Sequence, residues 1–378
     1  MKILAFTGTR ADWGLLVPVL KLLRDDSRFE LEICATGQHF SYDSKPGALI
    51  EDGGFAVDHF VSMGLSEDDG GAALTAAMGT CVAGIGVVIE QAQPDICLLL
   101  GDRYEMLCVA SAALVCRVPV AHICGGDITR GAFDDSIRHA LTKLSSVHFV
   151  TSEESARRVR QLGESAANVI VSGSPGIDRI VGQPIIERSE FLSGVGLEEK
   201  YPFFLVSFHP ETLSQDQTAD LEALVSALYA FPKVGLLLTG SNADPGGRAI
   251  DRAFEMIAQE RGNTAFHKSL GSERYFSAMA HARVLVGNSS SGLYEAPSFR
   301  LPTVNIGNRQ EGRLAAASVI DCRATPDEIK LAIDRAIALD CADVTNPYGD
   351  GRAASRIVEH LSGIKTPRDL LKKTFQDM

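Results

Sequence analysis

Short apolar runs ending in small or polar residues recur along this chain, most of them followed by a stretch with apolar residues at helical spacing. The first is "KILAFTG" before "LLVPVLKLLRDD". The series continues with "FELEICATG", "DICLLLGD" before "EMLCVASAALV", "VPVAHICGGD", and "SVHFVTS" before "EESARRVRQLG". The runs lack the clean apolar–polar alternation of a strand with one wet face. They therefore predict parallel strands buried on both sides by helices, an α/β fold. Pro18 is read as lying near the start of the first helix, where a missing N–H costs little.

The series pauses at "SGSPGIDRIVGQPIIERSE", rich in Gly, Pro and Ser, and restarts beyond it. "FFLVSFHPE" with "ADLEALVSALYAF", "KVGLLLTGSN" with "GRAIDRAFEMIAQE", "ARVLVGNSSSG" and "PTVNIGNRQ" repeat the alternation. At 378 residues the chain exceeds what one core usually holds. Two Rossmann-like domains are expected, 1–182 and 183–355, with parallel sheets facing a central cleft. The segment 356–378 has helical spacing and is expected to pack back on the first domain.

The balance of 36 basic against 48 acidic residues gives −12, which opposes binding to nucleic acid or an anionic membrane. Local basic groups for a phosphorylated small molecule remain compatible with it. The eight cysteines (Cys34, Cys81, Cys97, Cys108, Cys116, Cys124, Cys322, Cys341) form no C-x-x-C pair and no Cys/His ligand spacing. They read as reduced core thiols, with no metal site and no cofactor implied. The N-terminal apolar run is too short for a signal peptide, and no apolar stretch is read as approaching a bilayer's thickness. A soluble, cytoplasmic protein is expected.

In parallel sheets ligands bind at the carboxyl ends of strands, so the residues that follow the apolar runs are the candidates. Gly8 and Arg10 follow the first; Asp102 and Arg103 follow "ICLLLG"; Asp127 follows "AHICGG"; His209 follows "FFLVSF"; Asn288 to Ser291 follow "VLVG". Arg10 either clamps a phosphate with its planar fork or pairs with Asp12. The serines of "GNSSSGLYEAP" lack a Walker lysine; they cradle a diphosphate, with Glu295 accepting from ribose hydroxyls, or simply cap a helix. In "GAFDDSIRHALTKLS", Asp134, Asp135 or Ser136 suits an N-cap, yet capping does not require two acids. With Arg138 and His139 one turn later, carboxylate, guanidinium and imidazole gather at one helix start, an arrangement suited to paired acid and base work. His209, held extended by Pro210, and His39 each serve equally as structural histidines. Asp102 and Asp127 also admit simple pairing with Arg103 and Arg130.

With these residues collected, the chain resembles the UDP-N-acetylglucosamine 2-epimerase family, in its hydrolysing branch that feeds sialic and related nonulosonic acids. "GTRADWG", "GDRYEML", "AHICGGDITRGAFDDSIRHALTKLS", "SFHPETL", "NADPGGR" and "GNSSSGLYEAPSFRLPTVNIGNRQEGR" carry the resemblance in order, nearly end to end. It implies a GT-B-like fold and a homo-oligomer, dimer or tetramer. It also implies UDP held by Arg10, Ser289, Ser290, Ser291 and Glu295. Asp102, Asp127, Asp134, Arg138 and His209 are the implied catalytic groups, with His39, Arg103, Asp135 and Asn242 as weaker candidates. The implied reaction removes the sugar C2 proton as UDP leaves C1, then hydrates the acetamidoglucal to a free 2-epimerised sugar. UDP-N-acetylglucosamine, giving N-acetylmannosamine, is the expected substrate. UDP-N,N'-diacetylbacillosamine on the way to legionaminic acid is the alternative, ahead of a non-hydrolysing epimerase, a glycosyltransferase or a non-catalytic UDP-sugar sensor. Three positions depart from the family: Asp127 stands where Glu is usual, Trp13 where Phe or Tyr is common, and Leu100 where some animal members have His. The animal enzymes' kinase domain has no counterpart here, so a monofunctional enzyme is expected.

Overall fold

The structure, a computed structural model, describes residues 1–40, 50–51, 53–65, 70–129, 133–210, 217–241 and 246–377. The chain divides into two compact units, Met1–Arg179 with Tyr348–Met378, and Ile180–Pro347. In the first, seven parallel strands stand in the order β3-β2-β1-β4-β5-β6-β7: β1 (Lys2–Thr7), β2 (Glu30–Thr36), β3 (His59–Val61), β4 (Ile96–Leu100), β5 (Val120–Gly125), β6 (Val147–Val150) and β7 (Val169–Val171). β1 shows why the run is apolar throughout. Its Leu4 and Phe6 enter the core on one face of the sheet, and its Ile3 and Ala5 the core on the other.

Helices cover both faces. α1 (Arg10–Asp25) begins with a capping box in which Thr9 and Asp12 satisfy one another's backbone N–H groups. Pro18 lies inside this helix and not at its start, so one turn does without its amide donor. α2 (Gly71–Ala92) packs on α3 (Tyr104–Val115) and buries Ala77, Cys81, Ile85, Val88 and Ile89. By length and composition α2 is apolar enough to cross a membrane, which corrects the reading that no stretch approaches that size. α4 (Asp134–Leu144), α5 (Glu153–Gln161) and the short α6 (Pro175–Val181) follow.

The second unit repeats the plan with six parallel strands ordered β10-β9-β8-β11-β12-β13: β8 (Phe203–Ser207), β9 (Gly235–Thr239), β10 (Thr264–His267), β11 (Val284–Gly287), β12 (Thr303–Ile306) and β13 (Val319–Cys322). α7 (Arg188–Val195), α8 (Gln217–Tyr229), α9 (Gly247–Glu260), α10 (Gly271–His281), the single turn α11 (Ser291–Tyr294) and α12 (Pro326–Ala338) complete it. Phe204 and Val206 of β8 are core, as are Leu224 and Leu228 of α8 and Phe254 of α9.

The chain then returns to the first unit. α13 (Ala353–Gly363) packs on α1 and buries Ala354, Ile357 and Leu361 in the same core as Leu16, Leu20 and Leu23. Its first turn is capped from afar: the Asp178 carboxylate accepts from the backbone N–H of Ala353 at 2.9 Å and of Ala354 at 2.7 Å. Beyond it, the Lys373 ammonium donates to Glu164 at 2.8 Å and to the carbonyls of Lys143 and Ser145 at the end of α4.

Candidate active site

In both sheets the strand order reverses beside the first strand, between β1 and β4 and between β8 and β11. Loops diverge at such a point and leave room for a ligand at the strand ends. The candidate residues cluster there within each unit.

In the first unit Arg138, from the first turns of α4, is the hub. It is 6% exposed and donates to the Asp102 carboxylate after β4, to the Thr129 hydroxyl at 2.8 Å and to the Asp127 carbonyl after β5 at 2.7 Å. Asp135 sits 3.5 Å from the same guanidinium and accepts from the Thr129 amide at 2.7 Å. One cation thus ties the two strand ends and the helix start together, offsetting the cost of placing acids side by side. The acids of α4 do not cap it. Phe133 takes the N-cap position with no side-chain bond, and Asp134 and Asp135 occupy the first helical turn, where the helix dipole favours anions. Burial, and after it the charge of Asp102, raise the Asp134 carboxyl above its ordinary range. Asp134 is therefore the acid here whose carboxyl is displaced toward holding its proton.

Asp127 is held differently. Its Oδ1 accepts from the Thr151 hydroxyl at 2.7 Å and the Ser155 hydroxyl at 2.6 Å, both at the β6–α5 junction and both buried. Behind the acids, His122 is fully buried, its Nε2 2.6 Å from the Gly101 carbonyl. Burial pushes its imidazole down to about 4, so it is neutral and Nε2–H is the donor. Sequence reasoning missed Thr151, Ser155 and His122; hydroxyls at a helix start read as caps, and Ser152 is indeed the N-cap of α5.

Arg10, at the first position of α1, is exposed, and its guanidinium forms no ion pair or hydrogen bond among the described residues. Asp12 is not its partner, being spent on the amides of Gly8 and Thr9. A cation at a helix N-terminus opposes the dipole, and an anionic ligand would resolve that conflict. His39 is buried with Nε2 3.0 Å from the Thr7 hydroxyl, and burial lowers its pKa. Arg103 pairs with the buried Glu105 at 3.1 Å and lies over the Tyr104 ring.

In the second unit the backbone of β11 is forced against β8. Gly287 has φ +146°, and a Cβ there would fall 1.9 Å from the Ser207 carbonyl oxygen. That approach lets the Asn288 side chain read both main-chain groups of His209, accepting from its N–H at 2.8 Å and donating to its carbonyl at 2.9 Å. Gln310 donates to the Asn288 carbonyl at 2.8 Å. The His209 ring lies 3.5 Å from the Ser241 hydroxyl. Ser289 and Ser291 hydroxyls are 2.8 Å apart, and Tyr275 joins Ser291 at 2.7 Å. Ser290 precedes α11 and Glu295, half-buried, follows it. Asn242 lies outside the described residues, as does Arg130. Among the described residues no group of three His, Cys, Asp or Glu is arranged to hold a metal ion.

The fold is shared with known proteins. A protein of Campylobacter jejuni named GDP/UDP-N,N'-diacetylbacillosamine 2-epimerase (hydrolyzing) is 34% identical over 85% of this chain and 84% of its own length. One of Legionella pneumophila named UDP-N,N'-diacetylbacillosamine 2-epimerase (hydrolyzing) is 33% identical over 98% of both. The crystal structure of UDP-GlcNAc 2-epimerase from Neisseria meningitidis bound to UDP-GlcNAc superposes with a TM-score of 0.76 at 18% identity, covering 96% of this chain and 99% of that one. The likeness shows an α/β, GT-B-like fold of two Rossmann-like units. The sequence profile of UDP-N-acetylglucosamine 2-epimerases matches residues 21–362, and the chain belongs to that family.

Proposed function

We propose that this protein is a hydrolysing 2-epimerase acting on UDP-N,N'-diacetylbacillosamine, releasing UDP and the free 2-epimerised diacetamido sugar. Two relatives at 34% and 33% identity bear that activity in their names, which favours it over UDP-N-acetylglucosamine as first expected. The observation that carries the chemistry is the grouping of Asp102, Asp127 and Asp134 around Arg138. The reaction needs two proton transfers. A carboxylate takes the C2 proton, the C1–O bond breaks with its electron pair leaving on UDP, and a C1=C2 double bond forms. Water then adds at C1 while an acid returns a proton to C2 from the opposite face. Asp134, its carboxyl raised by burial and by Asp102, is the group assigned to give the proton. Asp102 and Asp127 supply the carboxylates, Arg138 holding the first by its carboxylate and the second by its main-chain carbonyl. In this reading Arg10 is a phosphate ligand, and Ser289, Ser290, Ser291, Glu295 and His209 are the nucleotide-holding groups of the second unit. A soluble cytoplasmic homo-oligomer fits the supply of a nucleotide-sugar substrate.

The second reading is UDP-N-acetylglucosamine hydrolysed to N-acetylmannosamine, favoured by a Neisseria meningitidis relative named UDP-N-acetylglucosamine 2-epimerase, 28% identical over 100% of this chain. NMR of the protein with each nucleotide sugar in deuterated water separates the two. Free sugar with deuterium at C2 and UDP release from the diacetamido substrate at the higher kcat/KM is expected. Faster turnover of UDP-N-acetylglucosamine reverses the substrate assignment, and nucleotide-linked product overturns hydrolysis.

A further inference from the structure

The hydroxyls around Asp127 have a determined direction. Each hydroxyl owns one proton, and an ionised carboxylate can only accept. Thr151 and Ser155 lie 2.7 and 2.6 Å from the same oxygen, Asp127 Oδ1, so both protons point at it. Ser152, 3.0 Å from the Ser155 oxygen, is then the donor to Ser155 and accepts from the Ser155 amide at 3.2 Å. An oxygen that receives two donors is the unprotonated one. Asp127 Oδ2 takes no bond from any described residue.

The backbone builds this clasp deliberately. Gly126 has φ +78°, and a Cβ there would lie 2.4 Å from the Ser155 carbonyl oxygen and 2.9 Å from the Val159 side chain. Only glycine lets the end of β5 press onto the first turn of α5, and Arg158 bonds the Gly126 carbonyl at 3.2 Å to seal the contact. Arg138 fixes the Asp127 carbonyl from the other side. The buried hydroxyls are 2% and 1% exposed, so water does not compete for them.

We propose that Thr151 and Ser155 are positioning residues of the reaction: by holding Oδ1 they fix the Asp127 carboxylate plane and make Oδ2 the oxygen that moves the proton. This rests on the reading of Asp127 as a group in the proton-transfer steps. Freed of the clasp, the carboxylate rotates about its Cβ–Cγ bond and spends most of its time out of line with the C2 proton. Proton transfer slows while nucleotide and sugar contacts persist.

The test compares Ser155→Ala, Thr151→Val, the double variant, Thr151→Ser and Asp127→Asn on the full chain, by steady-state kinetics in light and heavy water and by thermal melting. Each single variant removes one hydroxyl with little change of volume, so the test survives if the double variant fails to fold. The expected result is a roughly tenfold lower kcat for each single loss, with unchanged KM. A larger solvent isotope effect on kcat should accompany it, and Thr151→Ser should restore wild-type behaviour. An inactive Asp127→Asn beside clasp variants of wild-type kcat and isotope effect overturns the inference and leaves the role of Asp127 standing. A fully active Asp127→Asn overturns that role itself. Loss of Tm with kcat and isotope effect unmoved reduces the hydroxyls to structure and also overturns the inference.

Discussion

Asp102 and Asn288 hold equivalent places. Each follows the strand that neighbours the first strand of its sheet, β4 beside β1 and β11 beside β8, at the point where the strand order reverses. At the first, a carboxylate pairs with a buried guanidinium and stands near Asp127 and Asp134. At the second, a neutral amide reads the main chain of His209, with serine hydroxyls beside it. Topology fixes where a ligand group can stand, and residue type decides what it does there. Charged groups that shift one another's titration suit proton transfer, whereas uncharged donors suit a fixed grip on a nucleotide without disturbing those protons.

The comparison breaks if the two edges fail to separate turnover from binding. The largest effect is expected for Asp102→Asn and Asp134→Asn. Each should lower kcat by roughly 10³-fold, the scale of general acid–base catalysis, with UDP affinity by calorimetry within about twofold of wild type. Full activity in both would dismiss the acid assignments. Next comes the opposite edge and the cation of α1. Asn288→Ala removes the side chain that holds the His209 main chain from both sides and should weaken UDP binding about 10–100-fold. Arg10→Ala should weaken it about tenfold, and less at high salt, since an exposed charge is screened. Unaltered UDP titrations for both variants would remove these two groups from the nucleotide grip.

The smallest effect sharpens the contrast in stability. Burial disfavours ionised Glu164, but hydrogen bonds from His148, Lys143 and Lys373 outweigh it and hold the carboxyl at about 2. His148, lowered by burial, is neutral in the fold. A depressed acid stabilises above its unfolded value near 4.5 and loses that contribution as pH falls toward 2; a depressed histidine resists protonation that the unfolded chain accepts below 6.5. Both therefore withdraw stability on acidification, Glu164 alone by on the order of 1 kcal/mol between pH 7 and 3.5. Hydrogen exchange at falling pH should show β6 and α5 opening before β8 and β11, with Glu164→Gln flattening the dependence below pH 4.5. Earlier opening of β8 and β11 would contradict this.

Most of the central strands were legible because burial on both faces leaves continuous apolar runs. The edge strands β3, β7, β10 and β13 were not: at three or four residues, and only partly buried, they carry no pattern of their own. α2 escaped notice for the opposite reason. Glycine, alanine and threonine along a helix whose one charged residue is Glu90 leave no polar face for periodicity to mark. Asp102, Asp127 and His209 were legible because they follow strands. The hydroxyl clasp was not, since Thr151 and Ser155 meet Asp127 only through the contact of β5 with α5, which Gly126 alone permits.

The return of Tyr348–Met378 to the first unit has a consequence for synthesis. Chains emerge from the ribosome N-terminus first, and domains fold as they emerge. Here α1 meets part of its packing, Ile357 and Leu361, only after the whole second unit has been made. The unit that begins first finishes last. While translation proceeds, the apolar face that α13 will cover stays open to chaperones and to neighbouring nascent chains, so slowing elongation after residue 180 should raise aggregation more than slowing it before.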